Sequence, residues 1–225
     1  MSKCFFITAT DTDAGKTYFS TILACALTQS NRRVAVFKPI SAGCEYNQNG
    51  ELENDDAIAL QHYANCHQSL KQINPIRFVQ PIAPHIAAAL NNQKISLLEL
   101  ADNYQQVLTN NADVVLCEGA GGWRLPLGNG EFLSDFAKAS QLQVILVVNM
   151  KLGCLNHALL TYQAIVADGL TCIAWVANCQ QPMDYLTENL TTLQQLLPCP
   201  LMATLPFNND RVSAAKLIDL SVLGY

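Results

Sequence analysis

Residues 3–20, KCFFITATDTDAGKTYFS, constrain this chain more than any other stretch. An apolar run at 4–7 reads as a buried strand, positions 8–14 are small and polar, and Gly15-Lys16-Thr17 opens a segment of helical character. Strand, loop and helix in that order make a phosphate cradle. Gly15 lets backbone N–H groups approach phosphate oxygens, Lys16 brings a mobile positive charge, and the Thr17 hydroxyl is an oxygen of the type that joins a Mg2+ shell. The helix N-terminus aims further N–H groups at the same anion. The general pattern also asks for glycine at position 10, where the chain has Thr10; a loop longer by one residue moves that position to Ala9. A turn followed by a helix cap is the other reading of these residues.

Beyond this stretch, strand-like and helix-like segments alternate. Short apolar runs at 34–37, 113–117, 144–149, 172–178 and 201–204 read as strands, and helices are expected up to about residue 30 and over 55–64, 86–90, 96–109, 133–139, 155–167 and 184–197. Ser96 and Glu99 have the spacing of a capping box. Residues 43–54, with Gly43 and Gly50, read as a polar loop, and 71–84, with three prolines, as an irregular connection. The strands are apolar on both faces, so helices must cover both. That implies an α/β fold, a doubly wound, mostly parallel sheet with helices on both faces, P-loop NTPase-like, in a single domain over 1–225.

Ligands of such sheets sit at the carboxyl ends of the strands. Lys16 follows the first strand, Lys38 the second, Glu118 the central one and Asn178 a later one. A carboxylate at Glu118 is where phosphate-binding folds hold Mg2+, and a cap of the glycine-rich turn at 119–122 is the other reading. Lys38 also reads as a solvated strand end, and Asp56 as an acidic residue favoured by the dipole of its helix. His85 and His157 read as structural residues. The net charge of −5, from 13 basic and 18 acidic residues, argues against a general nucleic-acid binder. Apolar runs fall well short of the roughly 20 residues that span a membrane, and the N-terminus lacks a signal-peptide pattern. A cytoplasmic protein is expected, and its nine cysteines, without a C-x-x-C pair, read as reduced core residues.

Several motifs recur together: TDTDAGKT at 10–17, Lys38-Pro39 with Ser41-Ala42-Gly43, Asn54-Asp55-Asp56-Ala57, Pro84-His85, CEGAGGW at 117–123, KLGCLNHA at 151–158, Trp175-Val176-Ala177-Asn178 and Leu205-Pro206. In this combination the chain resembles the dethiobiotin synthetase family over nearly its whole length. That family uses the longer loop, so Thr10 fits it, whereas Ala9 stands where glycine is usual. The order Ser41-Ala42 and Cys179, where Asp is common, are further departures.

The resemblance implies a Mg2+- and ATP-dependent ligase that captures CO2 on one amine of 7,8-diaminopelargonic acid as a carbamate. The carbamate takes the γ-phosphoryl group, and the second amine closes the cyclic urea of dethiobiotin, the penultimate step of biotin biosynthesis. It implies ATP contacts from Asp13, Ala14, Gly15, Lys16, Thr17, Asn178 and Pro206, magnesium ligation by Thr17, Asp56 and Glu118, and catalysis by Lys16 and Lys38. Substrate contacts are implied for Ser41, Ala42, Gly119, Gly121, Gly122, Lys151, Leu152 and Asn156, with the substrate tail crossing the interface of a homodimer. Neither nucleic acid nor membrane is an expected partner. Two other classes share the layout. A nucleotide-switch ATPase of the partitioning kind carries an early second lysine in its loop, where this chain has Thr10-Asp11-Thr12; corrin-modifying ligases usually add a glutaminase domain. A non-catalytic module that kept the fold is the third possibility, with Ala9 as its only hint.

Overall fold

The computed structural model describes residues 2–206 and 210–225. Its central sheet has six strands: β1 (Lys3–Ala9), β2 (Val34–Phe37), β3 (Val114–Glu118), β4 (Gln143–Asn149), β5 (Cys172–Cys179) and β6 (Leu201–Pro206). Their spatial order is β6-β5-β4-β1-β3-β2, and every neighbouring pair is parallel. The chain leaves β1 toward β2, returns through β3, and then crosses to β4 on the opposite flank. This reversal leaves a crevice at the carboxyl end of β1, between β3 and β4.

Alternation along each strand builds two apolar cores. Phe6, Phe37, Val115, Cys117, Leu146, Val148 and Trp175 enter one; Phe5, Ile7, Val34, Val36, Leu116, Ile145 and Val147 enter the other. Helices α1 (Lys16–Gln29) and α2 (Asp55–Tyr63) cover the second face. After α3 (Leu70–Ile73) and α4 (Pro84–Leu90), the first face is covered by α5 (Leu97–Leu108), α6 (Leu133–Ala139), α7 (Cys154–Ala167) and α8 (Leu186–Leu196). A short α9 (Arg211–Ala215) returns to the second face through Ala214 and Ala215.

The expected segments lie close to the observed ones, with four differences. The stretch 71–84 is not irregular throughout: α3 opens on a capping box between Ser69 and Gln72, and Ile76–Arg77 pairs in parallel with Ile40–Ser41. Inside the expected loop 43–54, Glu45–Tyr46 pairs with Leu52–Glu53 across a turn whose amides at 49 and 51 donate to Asn47 Oδ1. A further hairpin joins Pro126–Gly128 to Glu131–Phe132 through Asn129 and Gly130, both at positive φ. Asn-Gly is the commonest chemistry for such a turn, so this hairpin has a local signal. The capping box expected at Ser96 does not form: its side chain makes no cap hydrogen bond. Helix α5 is fixed instead by Leu100, Tyr104 and Val107 in the core, a larger effect than a cap worth about 1 kcal/mol.

All nine cysteines carry free thiols. Among the described residues, no helix is long and apolar enough to cross a membrane.

Candidate active site

The phosphate loop is held from both sides. Thr10 N–H donates to Val147 O at 3.0 Å, and Asn149 N–H donates to Thr10 Oγ1 at 3.4 Å, so a hydroxyl residue at position 10 ties the loop to β4. Ala9 ends β1 as a fully buried strand residue, and its φ is not positive. Alanine therefore meets no backbone penalty here, which removes the one concern the loop raised. Asp13 and Gly15 do adopt positive φ, at 56° and 91°.

Gly15 is required twice over. A Cβ at this position would lie 1.9 Å from Asn178 Nδ2, in a conformation that L side chains rarely adopt. Asn178, at the end of β5, is fully buried and donates through Nδ2 to Ala14 O at 2.8 Å. Its Oδ1 has no partner among the described residues, leaving an acceptor beside the loop. Gln180 adds a second brace by donating to Asp13 O at 3.0 Å. We expect Gly15→Ala to destabilise the fold by about 1–3 kcal/mol through strain at a positive φ and to weaken ATP binding at least about tenfold. Thermal unfolding and nucleotide titration check it; a variant matching the wild type in both would refute the packing of Asn178 on Gly15.

Four charged side chains converge below the loop. Lys16 donates from Nζ to Gly121 O at 2.7 Å and Asp11 O at 3.4 Å, and burial pushes its ammonium below the usual lysine range. Glu118, the last residue of β3, is fully buried; its Oε1 accepts from Thr17 Oγ1 at 2.8 Å and from Lys38 Nζ at 2.6 Å. Lys38 also meets Asp56 Oδ2 at 2.9 Å. Burial alone would lower the Lys38 ammonium, but the charges of Glu118 and Asp56 and their hydrogen bonds outweigh it and hold it above the ordinary range. For Asp56, burial is overcome by the charge of Lys38 and by its hydrogen bond, which keep the carboxyl below the usual carboxylate range. Asn54 caps the helix that carries Asp56, its side chain accepting from Ala57 N–H at 3.4 Å.

Lys16, Lys38 and Asp56 face a cleft of about 790 Å³ walled also by the phosphate loop, Ala42, the proline-rich turn at 81–84 and Gly121, while Glu118 lies buried behind Lys38 and Thr17. Ser41 lines it too, but its hydroxyl lies 2.6 Å from Asn74 Oδ1, to which it donates. Asn74 in turn donates to Lys38 O at 2.7 Å. This buried asparagine braces both cleft residues and was not among the sequence candidates; no local pattern marks it. Tyr18 and Gln180 also reach the cleft. Gly121, at φ 59°, turns its carbonyl to Lys16, and the turn is anchored beyond it where Trp123 Nε1 and Arg124 bond Asp168 at 2.8 and 2.9 Å.

Other expected residues lie elsewhere. Gly119 packs on β1: a Cβ there would sit 3.0 Å from the Phe6 ring, so close approach of the chain explains the glycine without a ligand. Gly122 has ordinary room, since a Cβ added there would stand 3.6 Å from Ala9 O. Pro206 is exposed, pairs with Cys179, and accepts from the Tyr18 hydroxyl at 2.8 Å. Lys151, Leu152 and Asn156 are exposed around the start of α7 and do not line the cleft; Lys151 Nζ lies 3.8 Å from Asp11 Oδ2.

The donor chemistry suits a hard divalent cation. Thr17, Asp56 and Glu118 offer oxygen atoms alone, and Glu118 Oε2 is buried with no partner among the described residues.

A family model described as an AAA domain matches residues 3–215. The chain is 46% identical over 215 residues to the ATP-dependent dethiobiotin synthetase BioD of Aeromonas salmonicida, covering 95% of each chain. It is 45% identical over 209 residues to the protein of that name from Pseudoalteromonas translucida, covering 92% of each, and 40% identical over 227 residues to that of Tolumonas auensis, covering 99% of this chain and all of the relative. Among solved structures it is similar to the septum site-determining protein MinD of Pyrococcus horikoshii, with a TM-score of 0.56 and 17% identity over 97% of this chain and 87% of that one. It is also similar to the signal recognition particle receptor FtsY of Elizabethkingia anophelis, with a TM-score of 0.56 and 14% identity, spanning 99% of this chain and 64% of the receptor. The two structures share the fold alone. At 40% to 46% identity over nearly the full length of its relatives, this chain belongs to the dethiobiotin synthetase family.

Proposed function

We propose that this chain, acting as one ligase domain over residues 1–225, uses ATP to close a cyclic urea on 7,8-diaminopelargonic acid with CO2. The observation that carries this reading is the meeting of Lys16 at the start of α1, Lys38 just after β2 and Asp56 in the first turn of α2 at one cleft, with Glu118 at the end of β3 buried behind them. Such a reaction moves negative charge between oxygens and needs little covalent help from protein, so fixed charges and alignment carry it.

One amine of the diamine attacks CO2 and loses a proton, giving a carbamate. Lys38 supplies an ammonium to hold that anion in place. A carbamate oxygen then attacks the γ-phosphorus and the bond to ADP breaks. Lys16, bonded here only to backbone carbonyls, is free to turn to the β and γ oxygens as charge shifts across them. The second amine attacks the carbonyl carbon, phosphate leaves and the ring closes. Thr17, Asp56 and Glu118 would hold Mg2+, which supplies charge neutralisation at the phosphoryl oxygens. Asn178 Oδ1 offers an acceptor for the exocyclic amine of adenine, beside Pro206.

A homodimer accounts for the residues that lie outside the cleft. Helix α7 exposes Leu160 at 56% and Val166 at 49%, and Leu152 just before it at 96%, separate apolar side chains that a second copy would cover along with the polar residues between them. The same packing would carry Lys151 and Asn156 to the carboxylate tail of substrate in the neighbouring cleft. Free thiols in the core fit a reducing compartment, the cytoplasm. Lys151→Ala should then raise KM for the diamine about tenfold and leave ATP affinity alone. An unchanged KM would sink the tail-binding role.

The deciding experiment measures ADP release with ATP, Mg2+ and bicarbonate, with and without the diamine, and weighs the product by mass spectrometry. Diamine-dependent release with the cyclic urea as product is expected. Hydrolysis indifferent to the diamine would overturn the proposal in favour of a nucleotide switch.

A further inference from the structure

The Lys38 ammonium is bonded to both carboxylates of the donor set assigned above to a divalent cation, at 2.6 Å from Glu118 Oε1 and 2.9 Å from Asp56 Oδ2. The Thr17 hydroxyl donates to that same Glu118 oxygen at 2.8 Å. Lys38 and Glu118 are buried, and two carboxylates converging on one point repel unless a cation stands between them. Lys38 is that cation, supplied by the chain. Its neighbour Lys16 makes no such pair, since its ammonium meets the carbonyls of Gly121 and Asp11.

An ammonium has three N–H donors. Two already serve Glu118 and Asp56, so Lys38 cannot give its full set to a carbamate while both bonds persist. A divalent cation binding to these oxygens would compete for the same lone pairs and repel the ammonium at short range. We propose that Lys38 is a resident counter-ion which the metal displaces from Glu118 and Asp56, so that metal loading frees the ammonium to receive the carbamate. Metal and carbamate binding are then coupled through one side chain, and by linkage each strengthens the other by the same factor. This inference rests on the metal assignment made for the proposed reaction.

The test is Mn2+ binding to the nucleotide-free protein, read by electron paramagnetic resonance. Lys38→Met should bind Mn2+ at least about tenfold more tightly than wild type, because the competing cation is gone, whereas Lys38→Arg should bind no more tightly. Glu118→Gln and Asp56→Asn should each weaken binding in the Lys38→Met background. If Lys38→Met gains nothing while those two substitutions still weaken Mn2+ binding, the counter-ion role is overturned and the metal assignment stands. If the carboxylate substitutions change nothing, or if neither wild type nor Lys38→Met binds Mn2+, the metal assignment falls and the inference with it. Should Lys38→Met not fold, wild type decides the matter: the Lys38 13Cε resonance, assigned by its loss in Lys38→Arg, should move during Mg2+ titration, and a stationary signal overturns the proposal.

Discussion

Turnover of a Lys16→Ala variant is expected to fall at least about a hundredfold, the range for removing one preorganised charge from a developing oxyanion. Lys16 is buried and donates only to the carbonyls of Gly121 and Asp11, so its charge is stabilised by no carboxylate contact and is available to phosphate. The other lysine of the cleft, paired with Glu118 and Asp56 before metal binding, is assigned to the carbamate and does not substitute for it. Because the lost partners are neutral carbonyls, the melting temperature should change little, and the deficit should appear in kcat under saturating ATP and diamine. Near-normal turnover would remove the phosphate-loop assignment.

Glu118→Ala should act on the fold as well as on the chemistry. The carboxylate is fully buried and stabilises Lys38, so its removal leaves an ammonium in the interior with only the partly exposed Asp56 beside it. Breaking a buried pair on one side costs about 3–5 kcal/mol. Urea unfolding should show the midpoint falling with little change in slope, the mark of lost stability in an unchanged native state. Glu118→Ala also removes the acceptor of the Thr17 hydroxyl. A variant within about 1 kcal/mol of wild type would show that the pair contributes far less than buried ion pairs usually do.

Much of the fold is legible because parallel strands end on one edge. Short apolar runs locate the strands, and the first polar residue after each run falls at that edge, which is where Lys38, Glu118 and Asn178 stand. Tertiary braces leave no such trace. Asn74 bonds Ser41 and the Lys38 carbonyl from the end of a four-residue helix, and the ladder between Ile40–Ser41 and Ile76–Arg77 has two residues a side, too short to show periodicity. Ser96 teaches the reverse lesson, since its spacing with Glu99 promises a cap that burial of α5 makes unnecessary. Gly119 shows that a glycine next to a site is not always there for the ligand, because the ring of Phe6 already fills the space a side chain would need.

The position of β1 at the middle of the sheet also sets a timetable for making the protein. Phe5 pairs with Leu116 on one side and Gln143 on the other, so β1 finds its second partner roughly 140 residues later in synthesis. At about 5–20 residues per second this is an interval of roughly 7–28 s. Through it the run Cys4-Phe5-Phe6-Ile7 keeps at least one unpaired edge and has no completed core on either face. Whatever shields those few residues during synthesis therefore governs how much active chain a cell recovers, although none of their side chains touches the chemistry.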